Sequence, residues 1–417
     1  MVSYSSLLRE NRNFRLFWMG QIVSQLGDWF SLVTVQALVL KYTGSSFWVA
    51  MLFVAGLLPG LLIAPLVGVL VDRLPRKSVM VVSDWVRAGL ALGLLLLRGP
   101  ETVWIAYVCL FLIACFTAAF EPARISTVPN ITTSEQLVTA NALSSVTWSV
   151  LLTTGALVGG LVSRFLGPQA AFLLNSLSFI ASALLLTRLK MNAEAADPHR
   201  QSGLSAIIEG FRFAALRPNV RWLLSAKLGW GLAGGIHTLI PLYGQKLFPL
   251  PNDRDGQLAI SLLFAANGLG TALGPIIARR ATGHDPASQR RALPVAYVLG
   301  GFFLSLIAVA HSLGAVMGWL FLSRINGSII WVFSTILLQR ETEDRFRGRV
   351  FALEGALFTF GMMVSGTVTG TLVDRGAATP GAVVLVSGLL SAVVGLAWIV
   401  RLSKLPRETG PSAEQLP

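Results

Sequence analysis

The chain has 417 residues, of which 54% are hydrophobic and only 13% are charged, against about 25% charged residues in an average soluble domain. Apolar stretches long enough to cross a bilayer recur along the whole chain, so the composition excludes an ordinary soluble protein and predicts a polytopic membrane protein. The net charge of +13 indicates attraction to anionic lipid headgroups and does not favour a nucleic-acid partner.

Twelve apolar spans predict an all-α membrane protein. In chain order they cover roughly residues 15–40, 46–71, 78–97, 102–122, 139–163, 168–188, 220–246, 257–279, 293–311, 314–337, 349–373 and 380–401. The first span is too long for the apolar core of a signal peptide, and no small-residue cleavage site follows it, so we expect no cleavable signal. Residues 403–417 are polar and contain three prolines, which predicts a disordered tail.

The distribution of Lys and Arg predicts the orientation of the spans. The loops on one side of the membrane contain only Lys41, Arg98, Arg164, Lys246, Arg254 and Arg375. The N-terminus, the loops on the other side and the C-terminus contain most of the remaining cations. We therefore expect both termini in the cytoplasm and a multi-pass protein in the plasma (inner) membrane.

The two halves of the chain repeat each other. The fifth span contains GALVGGLVSR, from Gly155 to Arg164, and the eleventh contains GTVTGTLVDR, from Gly366 to Arg375. Small residues at this spacing allow two helix backbones to approach closely. The candidate packing glycines are Gly155, Gly159, Gly160, Gly366 and Gly370.

A polar stretch separates the two halves. Within it, Leu204, Ile207, Ile208, Phe211 and Ala215 keep helical spacing, which predicts an amphipathic helix on the inner membrane surface. We predict two pseudo-symmetric six-helix bundles, residues 1–189 and 220–402, with a cytoplasmic linker at 190–219 and the tail at 403–417. An architecture of this kind is typical of transporters whose site lies between the halves.

Two motifs carry a resemblance to a known family. GVLVDRLPRK, from Gly68 to Lys77, is similar to the signature loop of the major facilitator superfamily, although Pro75 stands where the family usually has Gly. FEPARISTVPN, which begins at Phe120, and the LVTANAL that follows it resemble the drug:proton antiporter branch with macrolide-efflux proteins and lysophospholipid transporters. The resemblance implies the major facilitator fold.

The signature loop implies a cytoplasmic gate that holds the halves together when the protein faces outward. A carboxylate at this place can cap a helix of the opposite half, where the helix dipole is positive. We predict that the gate comprises Gly68, Asp72, Arg73, Arg76, Lys77, Asp84, Arg87, Glu121 and Arg124. The simpler alternative, that the loop cations only obey the positive-inside rule, leaves the carboxylates unexplained.

Three ionisable residues lie well inside the predicted spans, where an unpaired charge is costly. They are Asp28, Lys227 and Arg324. The family's fold lines its central cavity with spans 1, 4, 7 and 10, so the resemblance implies that all three could face it. Asp28 is the candidate proton carrier, because proton and cargo can compete for one carboxyl group. The alternative is a permanent ion pair between Asp28 and either Arg324 or Lys227.

Other motifs allow two interpretations each. His237, in the seventh span, is a candidate proton relay, yet a lone histidine in a helix also serves as a packing residue. His311 and Glu354 lie near span ends, which predicts interfacial positions. The fifth span resembles an antiporter signature that ends Gly-Pro-x-x-Gly-Gly, with Ala156 in the place of Pro, but a general small-residue packing motif explains the same residues.

These features predict a secondary transporter that exports hydrophobic or amphiphilic small molecules by proton-coupled, rocker-switch alternating access. A lysophospholipid flippase or a siderophore exporter of the same fold is the alternative. The expected partners of the monomer are a small-molecule or lipid-like substrate, protons and membrane lipids, with no cofactor, metal or nucleic acid. The chain contains no H-E-x-x-H, G-x-S-x-G or Gly-Lys sequence, which argues against an enzyme and against ATP binding through a P-loop.

Overall fold

The computed structural model describes residues 3–62, 74–191, 204–253, 255–283 and 285–403. Its helices are α1 Tyr4–Glu10, α2 Arg12–Thr43, α3 Ser46–Leu62, α4 Arg76–Gly93, α5 Val103–Ile131, α6 Ser134–Leu166, α7 Pro168–Thr187, α8 Leu204–Leu216, α9 Pro218–Leu232, α10 Ile236–Leu242, α11 Gln257–Thr282, α12 Pro286–Leu306, α13 Leu313–Glu341, α14 Asp344–Asp374 and α15 Pro380–Ser403. A π-helical turn, Tyr243–Leu247, follows α10.

The described helices confirm an all-α membrane fold. Nine of them are long and apolar enough to cross a membrane, and the bent α6 is a tenth if its two parts count as one span. The count of twelve stays a prediction for two reasons. Helix α3 is described only as far as Leu62, and the seventh predicted span is divided between α9 and α10.

Glycines accompany the break in the seventh span. Helix α9 ends at Leu232, and the chain turns before α10 begins at Ile236. A Cβ atom on Gly231 would lie 2.6 Å from the carbonyl oxygen of Phe358, and one on Gly235 would lie 2.3 Å from the Thr369 hydroxyl. The missing side chains therefore allow α14 to lie directly against the broken segment.

The fourth span is longer than predicted. Its predicted end was residue 122, yet α5 continues through Pro122 and Pro129 to Ile131. Each proline removes one helical hydrogen bond, so the helix needs support from its neighbours. Burial of Phe120 and Val128 in the core of the first half supplies it.

The two halves meet through two matching helix pairs. Helix α6 packs against α11, and α14 packs against α3. In span numbers these pairs are 5 with 8 and 11 with 2, so exchanging the halves converts one pair into the other. This is the relation that the repeated glycine motif in the fifth and eleventh spans predicts.

The linker helix α8 lies against the start of α14. The rings of Phe213 and Phe346 are 4.5 Å apart between centroids, and Arg349 donates a hydrogen bond to Glu209. A Cβ atom on Gly210 would lie 2.7 Å from the Cβ of Arg349. The linker residues before α8, at 192–203, and the tail after Ser403 lie outside the described residues.

The long helices run between two opposite ends of the bundle, the terminus end and the distal end. The terminus end holds Arg12, where α2 begins, and Ser403, where α15 ends. The distal end holds Thr43, where α2 ends, and Asp374, where α14 ends.

Candidate functional site

A polar cavity of about 220 Å³ lies among α2, α4, α5 and α6. Helix α2 contributes Gln21, Ser24, Gln25 and Asp28, which share one helix face because they recur at three- and four-residue spacing. The other lining residues are Trp29, Arg87, Thr117, Phe120, Glu121, Arg124, Trp148 and Leu151. Since a liquid water molecule occupies about 30 Å³, the cavity has room for several waters or for part of a small molecule.

Asp28 is half-buried in this cavity and has no hydrogen bond or ion pair with any residue that the structure describes. The charged groups close enough to act on it are Arg87, Asp84 and Glu121. The alternative that Asp28 forms a permanent pair with Arg324 or Lys227 is therefore wrong for this structure.

Asp84 and Arg87 form a buried ion pair on α4. The guanidinium carbon of Arg87 lies 4.3 Å from the ring centroid of Phe120 and 4.6 Å from that of Phe179. A cation between two aromatic faces is stabilised by their quadrupoles, most strongly where water is excluded. The pair is thus held inside the first half, and Arg87 reaches the cavity from there.

The other described gate residues also bind partners in the first half. Glu121 and Arg124 form an ion pair of 2.8 Å at the cavity wall. Arg76 donates a hydrogen bond to the carbonyl oxygen of Ser126, and Lys77 donates one to that of Leu189. Asp72, Gly68 and Arg73 lie outside the described residues.

Lys227 belongs to a buried cluster in the second half. Its ammonium group lies 2.9 Å from a carboxylate oxygen of Glu354 and donates to the Thr335 hydroxyl at 2.9 Å. It also lies 3.9 Å from the ring centroid of Trp331. Glu354 is only 2% exposed, so its carboxylate is enclosed by protein; its predicted position near the membrane interface stays a prediction. Helix α14 begins at Asp344, before the predicted span start at residue 349, so Glu354 lies about three turns into the helix.

His237 and Arg324 lie near each other, beside the break in the seventh span. His237 is half-buried, and its Nδ1 lies 3.1 Å from the carbonyl oxygen of Gly234. Asn267 of α11 also lies next to it. Arg324 is 5% exposed, and its Nε atom is buried without a hydrogen-bond partner.

The repeated glycines lie at tight helix contacts. A Cβ atom on Gly155 would meet the Trp29 side chain at 2.5 Å, and one on Gly159 would meet the Trp29 carbonyl oxygen at 2.9 Å. Gly160 faces Ser261 of α11, so this position belongs to the contact between the halves. In the second copy, Gly366 faces Thr238 and Gly370 faces Phe47 of α3.

Hydrogen bonds and ion pairs join the two halves at the distal end. The Asp374 carboxylate accepts hydrogen bonds from the backbone N–H groups of Ser46 and Phe47, both at 2.8 Å, and from the Ser45 hydroxyl. These N–H groups begin α3, so a residue of the second half caps a helix of the first.

Charged side chains add to this closure. Lys41 pairs with Asp255 at 2.8 Å, and Arg164 pairs with Asp253 at 3.2 Å. Lys246 donates to the carbonyl oxygen of Gly44 at 2.8 Å. The distal end is therefore closed by contacts between the halves, while the cavity lies on the other side of Trp29.

Sequence reasoning missed Asp374, although the repeat contained a signal. Asp374 precedes Arg375 in GTVTGTLVDR, where the first copy has Ser163 before Arg164. The two copies thus share two glycine positions, Gly155 with Gly366 and Gly159 with Gly370, and differ at the residue that in the second copy reaches the other half. No group of three His, Cys, Asp or Glu residues that could hold a metal ion occurs in the described part of the chain.

A two-half helical bundle with a polar cavity and a closed opposite end defines a membrane transporter of the major facilitator class. Residues 3–416 match the family model described as transmembrane secretion effector, and the chain belongs to this family. The resemblance to the major facilitator superfamily, which the two sequence motifs indicated, is thereby confirmed.

Relatives with printed roles cover most of the chain. It is 23% identical to macrolide efflux protein A of Streptococcus pyogenes, over 87% of this chain and 89% of that protein. It is also 23% identical to a protein of Bacillus amyloliquefaciens named as bacilysin exporter BacE, over 92% of this chain and 93% of that one. The crystal structure of the nucleoside transporter NupG has a TM-score of 0.70 and 14% identity and covers 95% of this chain and 100% of that chain, which shows a shared fold.

Proposed function

We propose that this protein exports amphiphilic small molecules across the plasma membrane in exchange for protons. The family and the two relatives named for efflux and export support the direction and the kind of cargo. The observation that carries proton coupling is Asp28, a carboxylate that faces a cavity and has no partner among the residues that the structure describes. Such a group can be neutralised by a proton or by a cationic group of the cargo, and each excludes the other.

The proposed transport cycle is alternating access by rocking of the two halves. The Lys and Arg bias favours a cytoplasmic terminus end, and this structure then corresponds to the inward-facing state with its extracellular side closed. In the outward-facing state the signature loop, with Asp72, takes over the closure on the cytoplasmic side. Arg76 and Lys77, with which α4 begins, already bind the carbonyl oxygens of Ser126 and Leu189.

The test of coupling is Asp28→Asn in proteoliposomes, with proton flux and the flux of a radiolabelled macrolide measured together. The variant should lose transport that a pH gradient drives. It should keep macrolide exchange without a gradient, weakened only by the loss of the charge attraction between Asp28 and a cationic group of the cargo. The physical reason is that Asn keeps the shape and much of the hydrogen-bonding capacity of Asp but cannot titrate.

A matched control is Asp285→Asn. Asp285 caps α12 outside the predicted span and lies away from the cavity. This variant should keep the coupling of the unmodified protein. Unmodified coupling in Asp28→Asn would show that Asp28 is not the proton carrier. A second arm with a fluorescent lysophospholipid tests the flippase alternative, which requires lipid transfer in place of macrolide flux.

A further inference from the structure

Among the charged residues described inside the bundle, one acid and one base have no partner. Among described residues at least five positions from a helix end, ion pairs join Asp84 with Arg87, Glu121 with Arg124, Glu209 with Arg349 and Lys227 with Glu354. Asp28 in the first half and Arg324 in the second have neither a hydrogen bond nor an ion pair with any described residue.

The described surroundings of Arg324 are polar but hold no acid that pairs with it. Its Nε is buried without a partner, and the Oδ1 atom of Asn267 is also buried without one. A small void beside Arg324 is lined by Trp230, Ser323 and Ser391 among others. An arginine stays protonated in a protein, so this side chain carries an uncompensated charge in a site of low exposure.

Arg324 lies near the contact between the halves. Phe264 of α11 packs against Trp29 of α2, with ring centroids 6.2 Å apart. Asn267 lies three residues further along α11, on the same helix face as Phe264. His237 lies next to both Asn267 and Arg324. Asn267 therefore lies one helical turn from Phe264, the residue of the second half that packs against Trp29, the neighbour of Asp28 in the chain.

Asp28 and Arg324 also lie at similar depth. Asp28 is 16 residues from Arg12 and Arg324 is 17 residues from Glu341, the terminus-end limits of their helices. With a rise of about 1.5 Å per residue, these intervals are about 24 and 26 Å. An acid and a base thus stand on opposite sides of the boundary between the halves, close to the middle of the bundle.

We propose that Arg324 is a binding subsite for an oxyanion of the cargo, with Asn267 beside it, and that zwitterions are a class of cargo that this protein binds. The cationic group of the cargo occupies Asp28, and its carboxylate or phosphate occupies Arg324. This inference rests on the proposed transport function and names its substrate class. The planar guanidinium suits both oxyanions because it offers parallel donors, and the bound anion removes the cost of the lone buried cation.

Binding to the purified full chain, followed by tryptophan fluorescence, tests the subsite without any transport. The probes are leucyl-leucine, its C-terminal amide, its N-acetyl derivative and lysophosphatidylethanolamine. The unmodified protein should bind at least one zwitterion, either the free dipeptide or the lysolipid. If the oxyanion of the cargo is a carboxylate, the protein should bind the dipeptide more tightly than the dipeptide amide. Arg324→Gln should weaken binding of that zwitterion by about tenfold to a hundredfold and leave binding of the amide unchanged.

Asp28→Asn provides the complementary test, since it should abolish the preference for the zwitterion over the N-acetyl dipeptide. Dipeptide binding that depends on Arg324 identifies a carboxylate cargo, and lysolipid binding that depends on Arg324 identifies a phosphate cargo. Equal zwitterion affinities in Arg324→Gln and the unmodified protein would overturn the proposal. A failure of both zwitterions to bind the unmodified protein would overturn it as well.

The melting temperature without ligand distinguishes a binding role of Arg324 from a purely structural one. Removing an unpaired buried charge leaves no orphan partner, so Arg324→Gln should melt at the same or a higher temperature than the unmodified protein without ligand. Lys227→Gln, which leaves Glu354 alone, should melt lower. A large loss of stability in Arg324→Gln would show that the guanidinium holds the fold, whereas a loss of coupling in Asp28→Asn alone bears only on the proposed function.

Discussion

Replacing Asp374 with Ala should loosen the distal contact between the halves. The carboxylate accepts two backbone N–H groups of α3 at 2.8 Å and the Ser45 hydroxyl, and Ala can accept none of them. Gly370, one turn earlier on α14, permits this approach, because a Cβ atom there would lie 2.6 Å from the Cα of Phe47. The interaction exists only while the distal end is closed, so its loss should favour the open state.

The size of the effect follows from the type of interaction. Asp374 is exposed to solvent, so the appropriate range is that of an N-cap, about 0.5–2 kcal/mol, rather than that of a buried charged hydrogen bond. Since about 1.4 kcal/mol corresponds to a factor of ten, the ratio of distal-open to distal-closed protein should rise about 2-fold to 30-fold.

Distances between spin labels across the distal end measure this ratio. Labels at Glu101 and Ala377, introduced after replacement of Cys109 and Cys115, report one position in each half. Asp374→Ala should increase the population with the longer distance. An unchanged distance distribution would refute the reasoning, because it would mean that the cap does not contribute to closure.

Asp255→Ala is the matched comparison. It removes the exposed pair with Lys41, whose side chain is 45% exposed, and surface pairs contribute about 0–1 kcal/mol. Its effect on the distance distribution should therefore be smaller than that of Asp374→Ala. A larger effect would assign the closure to ion pairing rather than to helix capping.

Two further variants test the packing and the buried pair. Gly159→Leu should block transport and lower the free energy of unfolding by about 1–3 kcal/mol, because its side chain would meet the backbone of Trp29. Gly89→Leu is the control, since no atom lies within 4 Å of a Cβ at Gly89, and it should change neither transport nor stability. Thermal unfolding and flux assays measure both effects. Lys227→Met should lower the free energy of unfolding by about 3–5 kcal/mol, because Glu354 then stays buried and unpaired. The double variant with Glu354→Gln should recover much of this loss. Equal melting temperatures for the single and the double variant would contradict the pairing.

The sequence and the structure agree best where the information is local. The span positions follow from apolar runs, and the helices deviate from them mainly at their ends. The fourth span was predicted to stop near Pro122, but packing of Phe120 and Val128 carries α5 to Ile131. The seventh span was predicted as continuous, yet it is broken before Ile236, where glycines lie against α14.

The candidate site could be predicted as a set of residues but not as a set of contacts. The cost of charge in lipid singles out Asp28, Lys227 and Arg324 from the sequence. The sequence did not place Glu354 among the buried charged residues, because a cation-rich segment precedes it and its position in the helix depends on where α14 begins. Its pairing with Lys227 depends on α9 lying against α14, which no local pattern encodes.

The sequence by itself determined a membrane protein with repeated halves, because hydrophobic length, charge bias and glycine spacing are properties of short segments. Only the tertiary structure decided which of the buried charges neutralise one another. Coulomb interactions depend on distances between helices far apart in the chain, so the same residues could have paired Asp28 with Lys227. The packing instead pairs Lys227 with Glu354. Among the residues that the structure describes, it leaves Asp28 and Arg324 without partners on opposite sides of the boundary between the halves.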